Sequence, residues 1–383
     1  MKKILFLLFL CSFKMIYGQN ILFSTNETSV PYRIPAIASL KNGCVVSLAD
    51  YRICKYDIGN GDIDLHGRIS SDYGNTWSDI FEVANGSGVN NCFHCGFGDA
   101  SIASIGNKIL IMCVGGSTIF QQGDSIKHNS IVKINGKYDK KNKTIKFEEP
   151  IDVSEMFFNK LFPNAYSMFI ASGKITVGKN NRLYCSVLVK HDKTDIYHNY
   201  VIYSDNFGDE WKILGNNAPC IIGGDEAKVV ELANGQIVIS SRKQGGGRYF
   251  NVFTYENFKK GIGVWDKQEF CKFKGKNATN GELLVYNDIL LQSIPTKDNR
   301  SNVSIFYKVV IPKTKYTSKT IVSDWNFGIE VDDGLSSYST MTILKDGTIG
   351  VLYEKDKPTN NRWGCADIVF KKYRITDIIL YKK

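Results

Sequence analysis

Leu40-Lys41-Asn42-Gly43-Cys44-Val45-Val46 reads as an apolar run, a turn and a second apolar run. Leu232-Ala233-Asn234-Gly235-Gln236-Ile237-Val238 and Leu344-Lys345-Asp346-Gly347-Thr348-Ile349-Gly350 repeat the pattern. Asn-Gly or Asp-Gly between two such runs predicts a β-hairpin with a type I′ turn, whose central residues both need positive φ. Three further hairpins fit less closely: Asp99 through Gly106-Asn107 to Val114, Gly173 through Lys179-Asn180-Asn181 to Val189, and Glu282 through Asn287-Asp288 to Ser293. The six units begin near residues 33, 99, 173, 226, 282 and 338. Their spacings fall within the roughly 40–75 residues that a four-stranded blade with variable loops occupies. Long helical patterns are absent, so the expectation is an all-β chain forming a six-bladed β-propeller, with a two-sheet sandwich as the alternative.

A second repeat overlies the first. Ser70-Ser71-Asp72-Tyr73-Gly74-Asn75-Thr76-Trp77 has the form S-x-D-x-G-x-x-W, and Ser204 to Trp211 repeats it with Asn206 at the Asp position. Such a turn bonds to itself: the Asp and Ser oxygens cap local N–H groups, Gly takes the positive-φ corner, and Trp packs beneath. These are expected to be structural elements without a part in chemistry.

The N-terminus reads as a signal peptide over residues 1–18, with Lys2 and Lys3 before a short apolar run from Ile4 to Leu10 and Gly18 at the cut. Residues 19–383 are then one exported domain, secreted or periplasmic. No later stretch has the roughly 20 apolar residues of a membrane helix, so no membrane span is expected. The net charge of +10 includes three lysines of the signal segment. The remaining basic residues are dispersed, without the dense block that marks a nucleic-acid binder. An anionic sugar fits the excess equally well. Cys92 and Cys95 form a C-x-x-C without a second such pair, so a structural zinc is not expected.

Each hairpin leaves at the end where it began, so residues before its first strand and after its second share one face. Those positions hold Arg33, Arg52 and Asp57 in the first unit, Asp99 in the second, Asp225, Glu226 and Arg242 in the fourth, Arg300 after the fifth, and Tyr338 and Glu354 in the sixth. Superposing the three best hairpins on Leu40, Leu232 and Leu344 sets Glu226 level with Tyr338. Glu231 then falls beside the turn at the opposite end, about 15 Å away at a rise of 3.3 Å per residue.

Tyr32-Arg33-Ile34-Pro35, Ala49-Asp50-Tyr51-Arg52 with Asp57, the two S-x-D-x-G-x-x-W turns, Gly98-Asp99-Ala100, Asp225-Glu226 with Ser241-Arg242, Arg300, Tyr338-Ser339 and Leu352-Tyr353-Glu354 occur in one order along the chain. In these stretches the sequence resembles the exo-α-sialidases of the bacterial and trypanosomal type, glycoside hydrolase family 33. The resemblance implies that Arg33, Arg242 and Arg300 grip the carboxylate of a sialic acid, and that Glu354 holds Arg33. It implies Tyr338 as nucleophile, Glu226 as its base and Asp57 as the acid, with Arg52 and Asp99 lining the sugar pocket around O4 and the N-acetyl group. A neutral phenol suits a substrate whose anomeric carbon bears a carboxylate, since a carboxylate nucleophile would meet like charge.

Arg248 competes with Arg242, Asp62 and Asp64 compete with Asp57, and Glu231 competes with Glu226; the second member of each contest is preferred on spacing. Sialylated glycans are the expected partners of a monomer without metal or cofactor. A trans-sialidase or a non-enzymatic sialic acid-binding propeller is the alternative. Asn299-Arg300-Ser301 is formally a glycosylation sequon, expected to stay unused because a glycan there would crowd the site.

Overall fold

Strands dominate the computed structural model, which describes residues 20–194, 196–215, 217–273, 279–357 and 366–380. The expected signal peptide, residues 1–18, lies outside the described residues. Among these the α-helices are single turns such as Ser318–Val322 and Ile375–Ile379. No described helix is long and apolar enough to cross a membrane.

The strands form mainly antiparallel sheets of eight, six, six, five and four strands. The eight-stranded sheet has two parts: Ser336–Ile343, Ile349–Asp356 and Ala366–Tyr373, then Tyr32–Ser39, Val45–Tyr51, Asp64–Ser70 and Phe81–Ala84. One residue pair, Tyr32 opposite Ala366, joins them. Asn20–Phe23 adds to Ala366–Tyr373, so the first and last described strands of the chain are neighbours.

Alternation along each strand sends its two faces to different neighbours. Ala36, Val46 and Leu48 pack on Ile102, Ile109 and Ile111 of the next sheet. Met112 and Ile131 meet Val187 and Ile202, and Tyr184 and Val201 meet Val229 and Ile239. Val238 and Val252 meet Leu290 and Phe306, and Leu291 and Ile305 meet Val351 and Val369. Leu352 and Phe370 then pack on Ile37 and Val45, which returns the chain of contacts to its start. Each fully buried Val, Leu, Ile or Phe in these layers contributes about 1.5–3 kcal/mol.

The hairpin turns correct one expectation. In all three Asn/Asp-Gly units the amide of the glycine bonds the leucine carbonyl three residues back, at 2.9 Å from Gly43 to Leu40, Gly235 to Leu232 and Gly347 to Leu344. Only the glycines take positive φ, at 97°, 88° and 82°. The turns are therefore type I with a following left-handed glycine, the bulged three-residue hairpin, and not type I′. The side chain before each glycine explains the choice. Asn42, Asn234 and Asp346 accept from the amide two residues on, at 2.9, 2.9 and 3.0 Å, which holds that residue in the negative-φ arm of an Asx turn. The third predicted hairpin forms only next to its turn, where Thr176–Val177 pairs antiparallel with Leu183 and Tyr184; at its start Gly173–Lys174 pairs in parallel with the second unit's Ser101 and Ile102.

Both S-x-D-x-G-x-x-W turns fold alike. Asp72 accepts from Thr76 N at 2.8 Å, and Asn206 accepts from Glu210 N at 2.9 Å. The amide form keeps the acceptor oxygen that the turn uses.

Candidate active site

Three register shifts aim the site. The first strands of the first, second and sixth units lose regular pairing between Arg33 and Ala36, Gly98 and Ser101, and Ser336 and Ser339. Within the first two, Ile34 and Asp99 take φ of 55° and 53°. Positive φ is strained for a β-branched residue, and bulges of this kind re-aim side chains beside functional sites. Asn299 and Arg300 do the same in a loop, at 60° and 52°.

The re-aimed residues meet in a cleft of about 700 Å³. Arg33, Arg52, Asp57, Asp99, Glu226, Arg242, Arg300 and Tyr338 all line it. Glu354 stands behind, wholly buried. Its Oε1 accepts from Arg33 Nε and from Ile34 N, each at 2.7 Å, and its Oε2 accepts from Ser337 Oγ at 2.5 Å. Burial pushes this carboxyl up, but the Arg33 charge and these bonds outweigh it and hold it below the ordinary carboxylate range.

Tyr338 is the centre of the cleft floor. Arg242 Nη1 donates to its hydroxyl at 3.2 Å, and the Arg33 and Arg300 guanidiniums lie 5.5 and 5.7 Å from its ring centre. Burial and the Glu226 carboxylate push the phenol above its ordinary range, while the three guanidiniums pull against them. Arg242 Nη1 also bonds Glu226 Oε2 at 2.7 Å, so one nitrogen bridges the two groups. Glu226 is raised by burial and then by Asp225, against the pull of Arg242 and a hydrogen bond with Tyr338.

Opposite, Arg52 gathers three carboxylates: Asp50 at 3.0 Å, Asp57 at 3.1 Å and Asp99 at 3.9 Å. Asp50 is pushed up to about 7 by burial despite Arg52. Asp99 is raised by burial, then by Asp50 and Asp57. Asp57 is different, its side chain 41% exposed on the loop at the cleft rim, where it can meet a group that extends outward.

The structure separates the competing residues. Arg248 is 2% exposed and spends its donors on Ser240 Oγ, Ser240 O and Thr279 O, away from the cleft. Glu231 lies in a different cavity, with Thr176, Thr342 and Ala38, and accepts from Lys179 N at 2.9 Å. Asp64 accepts from Gly86 N at 2.7 Å and, like Asp62, does not line the cleft.

Sequence reasoning gave no role to Asp50 or Asp356. Both sit two residues from a chosen one, Arg52 and Glu354, and the period of two along a strand was the available signal. Ser337 Oγ joins Asp356, at 3.0 Å, to Glu354. The wall made by Phe120, Phe169 and Tyr197, with ring centres 5.0 and 5.1 Å apart, had no such signal, because its members come from three separate segments.

No family model matches the chain. It is 28% identical over 160 residues to a sialidase of Micromonospora viridifaciens, covering 40% of this chain and 23% of that protein. It is 27% identical over 192 residues to the anhydrosialidase of Macrobdella decora, covering 46% of this chain and 24% of that protein. The matches thus span about a quarter of the length of these curated relatives. Trypanosoma rangeli sialidase, solved in complex with the inhibitor DANA, superposes with a TM-score of 0.72 at 19% identity, over 93% of this chain and 59% of that one. The same enzyme solved with 2,3-difluorosialic acid as a covalent intermediate gives 0.70 at 19%, over 92% and 58%. The chain shares the fold of a solved sialidase over nearly its whole length, and it is similar in sequence to a sialidase and an anhydrosialidase over parts of it.

Proposed function

We propose that the chain is an exo-α-sialidase that hydrolyses terminal sialic acids with retention, through a tyrosyl-enzyme intermediate. The observation that carries this reading is the buried tyrosine with three guanidiniums around it and a carboxylate sharing one of them. Arg33, Arg242 and Arg300 suit a single carboxylate, which planar guanidiniums bind in bidentate fashion. The bound carboxylate puts the anomeric carbon over the Tyr338 hydroxyl. Glu226 takes the phenol's proton as its oxygen attacks, and Asp57 protonates the departing glycosidic oxygen. Asp57, now ionised, then takes a proton from water, which displaces the tyrosyl oxygen, and Glu226 returns its proton to the phenol. Two displacements give net retention. Arg52 and Asp99 would meet the sugar's O4 and N-acetyl side.

Five sheets, the eight-stranded one in two halves joined by a single residue pair, and the closed circuit of apolar contacts between them support a six-bladed propeller. The basic-then-apolar N-terminus supports export.

The assay is release of sialic acid from 3′- and 6′-sialyllactose, with and without excess lactose, with product identification. Free sialic acid is the expected product. Transfer to lactose would make the chain a trans-sialidase, a 2,7-anhydro product would make it an anhydrosialidase, and binding without turnover would make it a lectin-like propeller.

A paired substitution tests the arginine assignment. Arg242→Lys is expected to raise KM for a sialoside roughly 10–100-fold, since a point charge replaces a bidentate fork, with little change in Tm. Arg248→Lys is expected to leave KM unchanged and lower Tm, because it strands the Ser240 and Thr279 acceptors. Steady-state kinetics and thermal melting of the two variants distinguish them, and the reverse ranking would sink the assignment.

A further inference from the structure

Beneath the cleft floor, the strand that follows Glu226 carries a second charge. Lys228 lies two residues on, in Ala227–Glu231, and Glu226 is among the charges that act on it. The Lys228 side chain is 2% exposed, and its Nζ has no hydrogen-bond partner among the described residues. Its nearest counter-charge is Glu282 Oε2 at 4.0 Å, itself wholly buried and accepting from Thr340 Oγ1 at 2.7 Å. Gly173 makes the space: its φ is 107°, and a Cβ there would stand 2.6 Å from the ammonium. Burying an ammonium with one distant counter-ion and no hydrogen bond is costly. Replacing the lysine by an apolar side chain would remove that cost, so its presence calls for a reason in the site above.

The charges around the two residues supply it. Lys228 faces Glu226 just ahead of its strand, Glu282 from the fifth unit, Lys174 from Gly173–Lys174, Arg248 from the strand beyond the adjoining one and the Cys185 thiol. Glu226 faces Arg242, Asp225 and Tyr338, with Asp99, Arg248 and Lys228 further off. Arg242 makes the ionic hydrogen bond to Glu226, and in the proposed reaction the same guanidinium receives the substrate's carboxylate. Its charge is then divided between two anions when the base must be ionised. Lys228 does not line the cleft, so its charge is not shared with substrate.

We infer that Lys228 is a positioning residue whose buried charge keeps Glu226 ionised as the base while substrate occupies the arginines. This rests on the reading of Glu226 as the base of a sialidase. A separation of about 7 Å in surroundings of effective dielectric about 20 corresponds to roughly one to two pH units.

The experiment is a 13C-NMR titration of glutamate-labelled protein, with the Glu226 carboxyl assigned by its loss in Glu226→Gln. Lys228→Met removes the cation and is expected to raise the Glu226 titration by about one to two units. Glu282→Gln removes the opposing anion and is expected to lower it. The acid limb of the pH dependence of kcat, measured on sialyllactose, should move the same way in each variant. An unmoved Glu226 titration in Lys228→Met, or movement of both variants in one direction, overturns the inference. If Lys228→Met does not fold, Lys228→Gln, which removes the cation but keeps a polar side chain, decides it by the same shift of the Glu226 titration. If the wild type releases no sialic acid, the functional reading fails, while the NMR titration still decides whether Lys228 sets the charge of Glu226.

Discussion

Tyr338→Phe is expected to lower kcat/KM for a sialoside roughly 10⁴-fold, the scale on which removing a covalent nucleophile acts, with the fold retained. The substitution deletes one oxygen. The ring keeps its place beside the Arg33 and Arg300 guanidiniums, 5.5 and 5.7 Å from its centre. No donor is orphaned, because Arg242 Nη1 still has Glu226 at 2.7 Å, so the stability change should stay near 1 kcal/mol. The size of the kinetic effect follows from the surroundings of the phenol. Burial and Glu226 hold it protonated well past neutrality, so attack requires both the hydroxyl and its base. The measurement is steady-state kinetics beside thermal melting, and a variant within tenfold of wild type would remove Tyr338 from the reaction.

Glu226→Gln should cost roughly 10²–10⁴-fold in kcat, the usual contribution of a general base, while Glu231→Gln should change it less than about threefold. Both residues come from one short segment of chain. Glu226 shares Arg242 Nη1 with the Tyr338 hydroxyl. Glu231 bonds the Lys179 amide in a different cavity, so its loss should register as about 1 kcal/mol of stability. Because Glu226 must be ionised to act, the wild-type rate should rise with pH through its titration, which burial has moved upward from the ordinary glutamate range. Glu226→Gln should flatten that limb and Glu231→Gln should preserve it. Kinetics of both variants across pH 4–8 checks this (the range is roughly that of carboxylate titration), and the opposite ranking would overturn the choice of base.

Much of the site was legible because strand geometry is local. A period of two and a shared turn residue were enough to set Glu226 level with Tyr338 and Glu231 at the other end of the hairpin, and the structure places them in separate cavities. The S-x-D-x-G-x-x-W turns were equally readable, since every bond in them spans at most a few residues. The turn type was misjudged, because the Asx side chain decides which residue takes positive φ, and the dipeptide alone does not show that it will bond forward.

Other features depend on contacts that no local pattern contains. Glu354 reaches Arg33 across 321 residues, and with Ile34 it stabilises a positive φ that the sequence Arg-Ile-Pro would not choose. The carboxylates around Arg52 were visible as residue types, but how far burial and repulsion raise Asp50 and Asp99 depends on their separations. The Phe120, Phe169 and Tyr197 wall and the Lys228–Glu282 pair are likewise junctions between units. The sequence by itself determined the main hairpin strands, where they turn and the face on which each polar residue would emerge, because alternation and turn chemistry act over a few residues. Only the tertiary structure decided which of those residues share a proton, a charge or a cavity, because electrostatic energy in a buried site depends on distances and desolvation that arise only when distant units pack together.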